Sequence, residues 1–226
     1  MAAPRIANAL TIDVEDYFQV SAFSPYIDRL EWNSRDCRVE RNVCRILQLL
    51  DDAGTKATFF TLGWIAERYP QLVREIVANG HELASHGHAH LRASEQTEAG
   101  FYADIQLAKI VLEDVAGHEV KGYRAPSFSI GRDNLWAFDC LERAGYRYSS
   151  SIYPIRHDHY GMPDAPRFAH AVGGLLEIPV TTVRSLRRNW PASGGGYFRL
   201  LPYGVSPWML KRVNEAAPQA PGLQLP

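Results

Sequence analysis

Cysteine is scarce in this chain. Cys37, Cys44 and Cys140 stand at unrelated spacings, and an odd number so placed makes neither a disulfide framework nor a CxxC metal knuckle. Cys44 and Cys140 fall in helical apolar patterns, where a free thiol is expected to act as a small buried hydrophobe. An excess of one charge is also lacking: 24 basic against 25 acidic residues leave a formal net charge of -1, so no global field recruits nucleic acid or an anionic membrane. The densest basic patch, Arg184, Arg187 and Arg188, reads as a solvated face. No run approaches the ~20 apolar residues of a membrane span. The start, Met1-Ala2-Ala3-Pro4-Arg5, lacks the charged segment and apolar run of a signal peptide, so the expected compartment is the cytoplasm.

What remains is an ordinary globular composition, 46% hydrophobic and 22% charged over 226 residues. That length suits one domain, since α/β barrels run to roughly 200–250 residues as single units. Ile6 to Val14 reads as a buried strand ending in acidic residues. A helix follows from about Arg38, with Val39, Val43, Ile46, Leu47 and Leu50 on one stripe and Gly54 as its stop. Ala57–Leu62 is a second strand. Pro70 opens a helix that Gly80 ends, and Glu82–Ser85 is a third strand. A long helix is expected over Glu95–Val115, a short strand before Arg124, a helix over Asp133–Ala144, and strands at Tyr146–Ser149 and Leu176–Thr181. Strand then helix, repeated four times, predicts parallel strands with right-handed crossovers. In the second half, Pro163, Pro166, Pro179, Pro191 and the run Gly194-Gly195-Gly196 mark long loops.

Ligands gather at the carboxyl ends of such strands, and two polar clusters fall there. Four of the eight histidines, His81, His86, His88 and His90, lie within ten residues. One helical turn would put His86 and His90 on the same face. Two imidazoles, a carboxylate and an open position describe a catalytic zinc or similar divalent ion. The competing reading is a polar loop of surface histidines. The second cluster is Asp13, Glu15 and Asp16. Alternation puts Asp13 and Glu15 on one side of an extended chain, and Asp16 swings inward if the strand has ended. One carboxylate can bind metal while another serves as general base. An acidic cap on the next segment is the plainer alternative.

Strand-end Asp13, then Gly80-His81-Glu82-Leu83 leading to His86-x-x-x-His90, then Gly122-Tyr123-Arg124-Ala125-Pro126-Ser127-Phe128, resemble the NodB-type polysaccharide deacetylases, carbohydrate esterase family four. Residues 11–23 are similar to the deacetylases of exosortase-linked exopolysaccharide loci. His157-Asp158-His159-Tyr160-Gly161 and Gly194-Gly195-Gly196-Tyr197-Phe198-Arg199 extend the likeness to about residue 213. It implies a distorted (β/α) barrel of about seven strands that hydrolyses N-acetyl groups of a polysaccharide or oligosaccharide with a divalent ion, zinc foremost. Asp13 matches the base, and His86 and His90 match the histidine ligands. The carboxylate ligand commonly follows the base directly, but Val14 stands there, which leaves Glu15 or Asp16. Arg124 matches the arginine that holds the base ionised, through two parallel donors. Pro126 and Ser127 match the turn whose backbone N–H faces the oxyanion.

Three departures qualify the match. Gly87 stands where many relatives carry Ser or Thr, and His88 between the ligands is a competing donor. Relatives also continue past the helix near Trp208–Asn214 into a last strand bearing His-Pro-Trp-Glu, whose histidine is the general acid. Here residues 214–226 read as an irregular tail with no strand signal, and His157 or His159 is the remaining candidate acid. The expectation is therefore a deacetylase domain over 1–213, with a catalytically weak glycan- or metal-binding relic as the alternative.

Overall fold

Short strands and longer helices alternate through the first two thirds of the chain. The computed structural model describes residues 8–217. In order come β1 (Thr11–Val14), α1 (Val39–Asp52), β2 (Thr58–Thr61), α2 (Gly63–Arg68), α3 (Pro70–Ala78), β3 (Glu82–Ser85), α4 (Glu98–Ala116), β4 (Gly122–Tyr123), α5 (Trp136–Arg143) and β5 (Tyr148–Ser149). The second half holds β6 (His170–Val172), β7 (Leu175–Glu177), β8 (Thr182–Ser185), β9 (Arg188–Pro191), α6 (Gly195–Leu200) and α7 (Val205–Ala216).

The main sheet has seven strands in the order β1-β2-β3-β4-β5-β7-β6. Every pairing from β1 across to β7 is parallel, and β6 alone is antiparallel, forming a hairpin with β7. Parallel strands need long crossovers, and here helices supply most of them. The fold is α/β with a parallel sheet, and the strand number agrees with the expected seven. Among the described residues no hydrogen-bonded pair joins β1 to β6, so the ladder is not closed into a ring.

Burial explains which predicted elements hold. On α1, Val39, Val43, Leu47 and Leu50 are buried along one stripe. Phe59 and Phe60 of β2 are buried on opposite faces, as in a strand covered on both sides. Burying such a side chain contributes roughly 1.5–3 kcal/mol. Elsewhere capping moves the boundaries. Thr97 caps α4 by accepting the Gly100 N–H, so the helix starts at Glu98, after a separate turn at Ala93–Glu95. Gly117, at φ 72°, ends it in the left-handed region.

Several expectations need correction. Helix α5 is shorter than Asp133–Ala144, because Arg132–Asn134 form a 3-10 turn of their own. The run Gly194-Gly195-Gly196 enters α6 rather than a loop, and α2 and the two hairpins were not anticipated. Cys44 is exposed, while Cys140 is buried as expected. Glu215 and Ala216 still belong to α7, so the irregular tail does not begin at 214, and its last part, 218–226, lies outside the described residues.

Candidate active site

Four parallel strands deliver polar residues to one edge of the sheet. Asp13 is the last residue but one of β1 and Glu15 follows that strand, His86 follows β3, Arg124 follows β4, and Ser150 follows β5. The strand-end placement expected from the sequence is therefore observed.

Glu15 Oε2 lies 2.6 Å from His90 Nε2 and 3.9 Å from His86 Nε2. Ligand atoms of the three residues all fall within 4.8 Å of one another, and both histidines are buried. The 2.6 Å approach is not aligned as a hydrogen bond, and Glu15 Oε2 is left buried without a donor. A buried carboxylate oxygen crowding an imidazole nitrogen out of hydrogen-bond alignment is the arrangement expected of two donors aimed at one cation. Bonds of about 2.0–2.1 Å in a tetrahedral site put donor atoms roughly 3.3 Å apart, so one short and one long separation bracket that value. The donor set fits a divalent ion.

Asp16 does not join this cluster. Its carboxylate caps the turn Tyr17–Gln19 by accepting Tyr17 N–H at 2.8 Å. The other oxygen accepts Val39 N–H at 2.9 Å, Arg38 N–H, and the Cys37 thiol at 3.1 Å. Among the two carboxylates left open by the sequence, geometry brings Glu15 to the histidines and commits Asp16 to the start of α1.

The His86–His90 segment is a loop, not the helical turn that the spacing suggested. Gly87 at φ 78° and His90 at φ 51° fold it back, so the two rings still meet, 5.3 Å between centroids. Asp104 of α4 pins the loop by accepting His88 N–H at 3.0 Å and Ala89 N–H at 3.1 Å. Glycine is needed at 87, because a Cβ there would meet Asp104 Oδ2 at 2.8 Å. His88 turns away toward Glu67, 3.3 Å off, and does not compete for the cluster. His86 Nδ1 donates to the Arg124 carbonyl at 2.8 Å, which leaves Nε2 as the free lone pair. Burial pushes this imidazole toward neutrality against the pull of Asp13 and Glu15, the form that a metal ligand requires.

Arg124 is buried and gives Asp13 a single contact, Nη1 to Oδ1 at 2.7 Å, instead of the expected parallel pair. The same nitrogen donates to Thr11 Oγ1 at 3.0 Å. Nη2 donates to Ser150 Oγ at 3.0 Å and Nε to the Ser150 carbonyl at 3.2 Å. The guanidinium lies over the Phe60 ring at 4.0 Å, where a desolvated cation–π contact adds about 2 kcal/mol. Burial would raise the Asp13 carboxyl, but Arg124, and after it His86 and His90, hold it below its ordinary value. Asp13 is thus an ionised acceptor beside the three candidate ligands.

Pro126 opens a turn in which Ser127 and Phe128 are both left-handed, at φ 54° and 50°. Phe128 N–H is committed to the Ala125 carbonyl at 3.0 Å, and the Ser127 hydroxyl pairs with that of Ser21 at 2.6 Å. His157 stacks on Tyr160, 3.9 Å between centroids, and accepts His159 N–H. Among the described residues neither ring contacts Asp13, Glu15, His86 or His90. Thr11, Asp104, Ser150 and Glu177 were not singled out from the sequence. Thr11 had a signal, being two residues from Asp13 on the same strand face.

Residues 34–149, just over half of the chain, match the family model "Polysaccharide deacetylase". The chain belongs to the polysaccharide deacetylase family. Residues 150–222 match a second model, described as a domain of unknown function (DUF3473). His86, His90 and Arg124 lie inside the deacetylase match, whereas Asp13 and Glu15 precede it. The chain is 33% identical over 94 residues to a peptidoglycan-N-acetylglucosamine deacetylase of Bacillus cereus, covering 41% of this chain and 34% of that protein. It is 31% identical over 137 residues to a chitooligosaccharide deacetylase of Azorhizobium caulinodans, covering 60% of each. The matches thus span about a third to three fifths of these curated relatives. A solved structure described as a putative polysaccharide deacetylase from Mycobacterium smegmatis superposes with a TM-score of 0.60 at 29% identity, covering 76% of this chain and 58% of that one. Deacetylases of this family are hydrolases of carbon–nitrogen bonds other than peptide bonds, act on acetylated glycans, and are generally metal-dependent. No helix among the described residues is long and apolar enough to cross a membrane.

Proposed function

We propose that this chain removes N-acetyl groups from a glycan by metal-dependent hydrolysis. One observation carries the reading: Glu15, His86 and His90 converge beside an aspartate that Arg124 keeps ionised. A zinc or similar ion held by those three residues would supply Lewis acidity toward the acetamide carbonyl and acidify a water molecule.

The remaining roles fall to the chain itself. Asp13 takes the proton of the attacking water, and Arg124 keeps its carboxylate aimed and charged. The Ser127 N–H, rather than that of Phe128, is assigned to the developing oxyanion, because the latter is already spent within the turn. As the tetrahedral species collapses, the C–N bond breaks, the leaving nitrogen takes up a proton from solvent, and acetate and a free amine depart, with the proton held by Asp13 returned to solvent. We assign no described residue as the acid for the leaving amine, since His157 and His159 are engaged with each other and with Tyr160. Exopolysaccharide biosynthesis is the setting suggested by the likeness of residues 11–23.

The test is acetate release from an N-acetylglucosamine oligomer, with the chain stripped by chelator and then reloaded with zinc. Release that needs the added ion is the expected result. A zinc-loaded, folded chain that releases no acetate from any N-acetylated glycan offered would instead favour the binding relic.

A further inference from the structure

We propose that Glu177, on β7, is a positioning residue that sets the aim of Arg124 and, through it, of Asp13. The inference rests on the deacetylase reading above and gives the segment matched by the domain of unknown function a part in the chemistry.

Glu177 is fully buried in an otherwise apolar stretch, between Leu176 and Ile178. A carboxylate in such a place is costly unless it satisfies donors that nothing else reaches. Its Oε1 accepts two consecutive backbone N–H groups, Ser151 at 3.0 Å and Ile152 at 2.8 Å. Two amides on one oxygen fix the course of the chain as it leaves β5. That stretch in turn touches Arg124 on both sides. Ser150 supplies its carbonyl to Nε and its hydroxyl to Nη2. The Ser151 hydroxyl accepts Ala125 N–H at 2.9 Å, and Ser149 donates to that hydroxyl at 2.8 Å.

The consequence for Arg124 is geometric. Of its contacts, those through Nε and one Nη2 go to Ser150, and only Nη1 reaches toward Thr11 and Asp13. A guanidinium is a rigid plane, so the atoms holding one edge determine where the other edge points. Glu177 sets the position of Ser150, and Ser150 sets the tilt of the plane. Ser150, Ser151, Ile152 and Glu177 all lie in the 150–222 match, whereas Arg124 lies in the 34–149 match. Neither matched segment builds the arginine's cradle alone.

The experiment measures kcat and KM for acetate release by the zinc-loaded full chain. The variants are Glu177→Ala, Glu177→Asp, Glu177→Gln, Arg124→Ala and the double variant Glu177→Ala/Arg124→Ala, each checked for folding and metal content. Loss of a supporting contact of this kind typically lowers activity roughly 10–100-fold. The expected result is such a loss for Glu177→Ala, carried by kcat and not by KM. Glu177→Gln, which retains Oε1, should recover most of it, and the double variant should be no slower than Arg124→Ala alone, because coupled residues are not additive.

Full kcat in Glu177→Ala, or losses that multiply in the double variant, would overturn the proposal. If Glu177→Ala does not fold, Glu177→Asp decides. It withdraws the carboxylate by one methylene, so a folded, metal-loaded Asp variant with undiminished kcat is equally fatal. Should Arg124→Ala itself keep full activity, the deacetylase mechanism fails as well, which separates the two failures.

Discussion

His86 donates from Nδ1 to the carbonyl of Arg124 at 2.8 Å, and the guanidinium of that arginine donates to Asp13 at 2.7 Å. One residue therefore orients an imidazole through its main chain and a carboxylate through its side chain. Placing it at the end of β4, beside β3, makes both reaches short. Removing the Arg124 side chain should leave the first contact intact and destroy the second, so metal content and turnover should separate.

The proposed metal ligands are tested by composition. His86→Ala and Glu15→Gln should each bind less zinc than the parent, read by elemental analysis after dialysis. Asp16→Asn should retain a full equivalent and instead lower the melting temperature, because it weakens a cap shared by Tyr17, Arg38 and Val39. Caps of this kind contribute about 0.5–2 kcal/mol. Zinc retained by Glu15→Gln but lost by Asp16→Asn would reverse the assignment.

Asp13→Asn isolates the proposed base. The amide keeps the shape and, through its oxygen, the contact with Arg124, but cannot serve as the base. Zinc content should hold while turnover falls by about 10²-fold or more. Undiminished acetate release would remove Asp13 from the mechanism.

Gly87→Ala tests the loop. A non-glycine residue at φ 78° costs about 1–2 kcal/mol, and the added methyl must also displace the Asp104 carboxylate that pins His88 and Ala89. The expected outcome is weaker zinc binding, measured by competition with a chromogenic chelator. Unaltered affinity would mean that the loop is not under the control of Asp104.

Glu177 gives a pH-dependent stability. Burial raises its carboxyl, and the N–H groups of Ile152 and Ser151 only partly offset that. The folded state then binds the proton more tightly than the unfolded chain. Its contribution is fully present below the ordinary glutamate value of about 4.3 and is lost as the pH rises through the folded value. Glu177→Gln should accordingly raise the melting temperature at neutral pH, with the gain vanishing toward pH 4. An equal gain at both pH values would show that ionisation is not involved.

How much of this was legible in the sequence depends on the range of the interaction. The parallel sheet was readable because Phe59–Phe60 and Leu83–Ala84 sit in short apolar runs between periodic helices. His86, His90 and Asp13 were readable as clusters at strand ends. The choice between Glu15 and Asp16 was not, since it turns on Arg38 and Val39, more than twenty residues away, whose amides claim Asp16. A helical turn is not what brings His86 and His90 together, because spacing alone ignores Gly87, whose left-handed backbone folds the segment back as a loop. Glu177 did carry a faint mark, an acid in an apolar strand, but its partners were invisible without the pairing of β5 with β7.

That pairing gives the join at residues 149 and 150 an unexpected mechanical character. Two family matches meet there, yet Tyr148 and Ser149 are bonded across to Leu176 and Glu177. A fragment ending at the join would carry β5 as a bare rim, its amides and carbonyls open to any passing strand, and rims of that kind self-associate. The sheet crosses the boundary between the two matched segments, so trimming the chain to residues 34–149 should yield aggregate instead of a smaller folded unit.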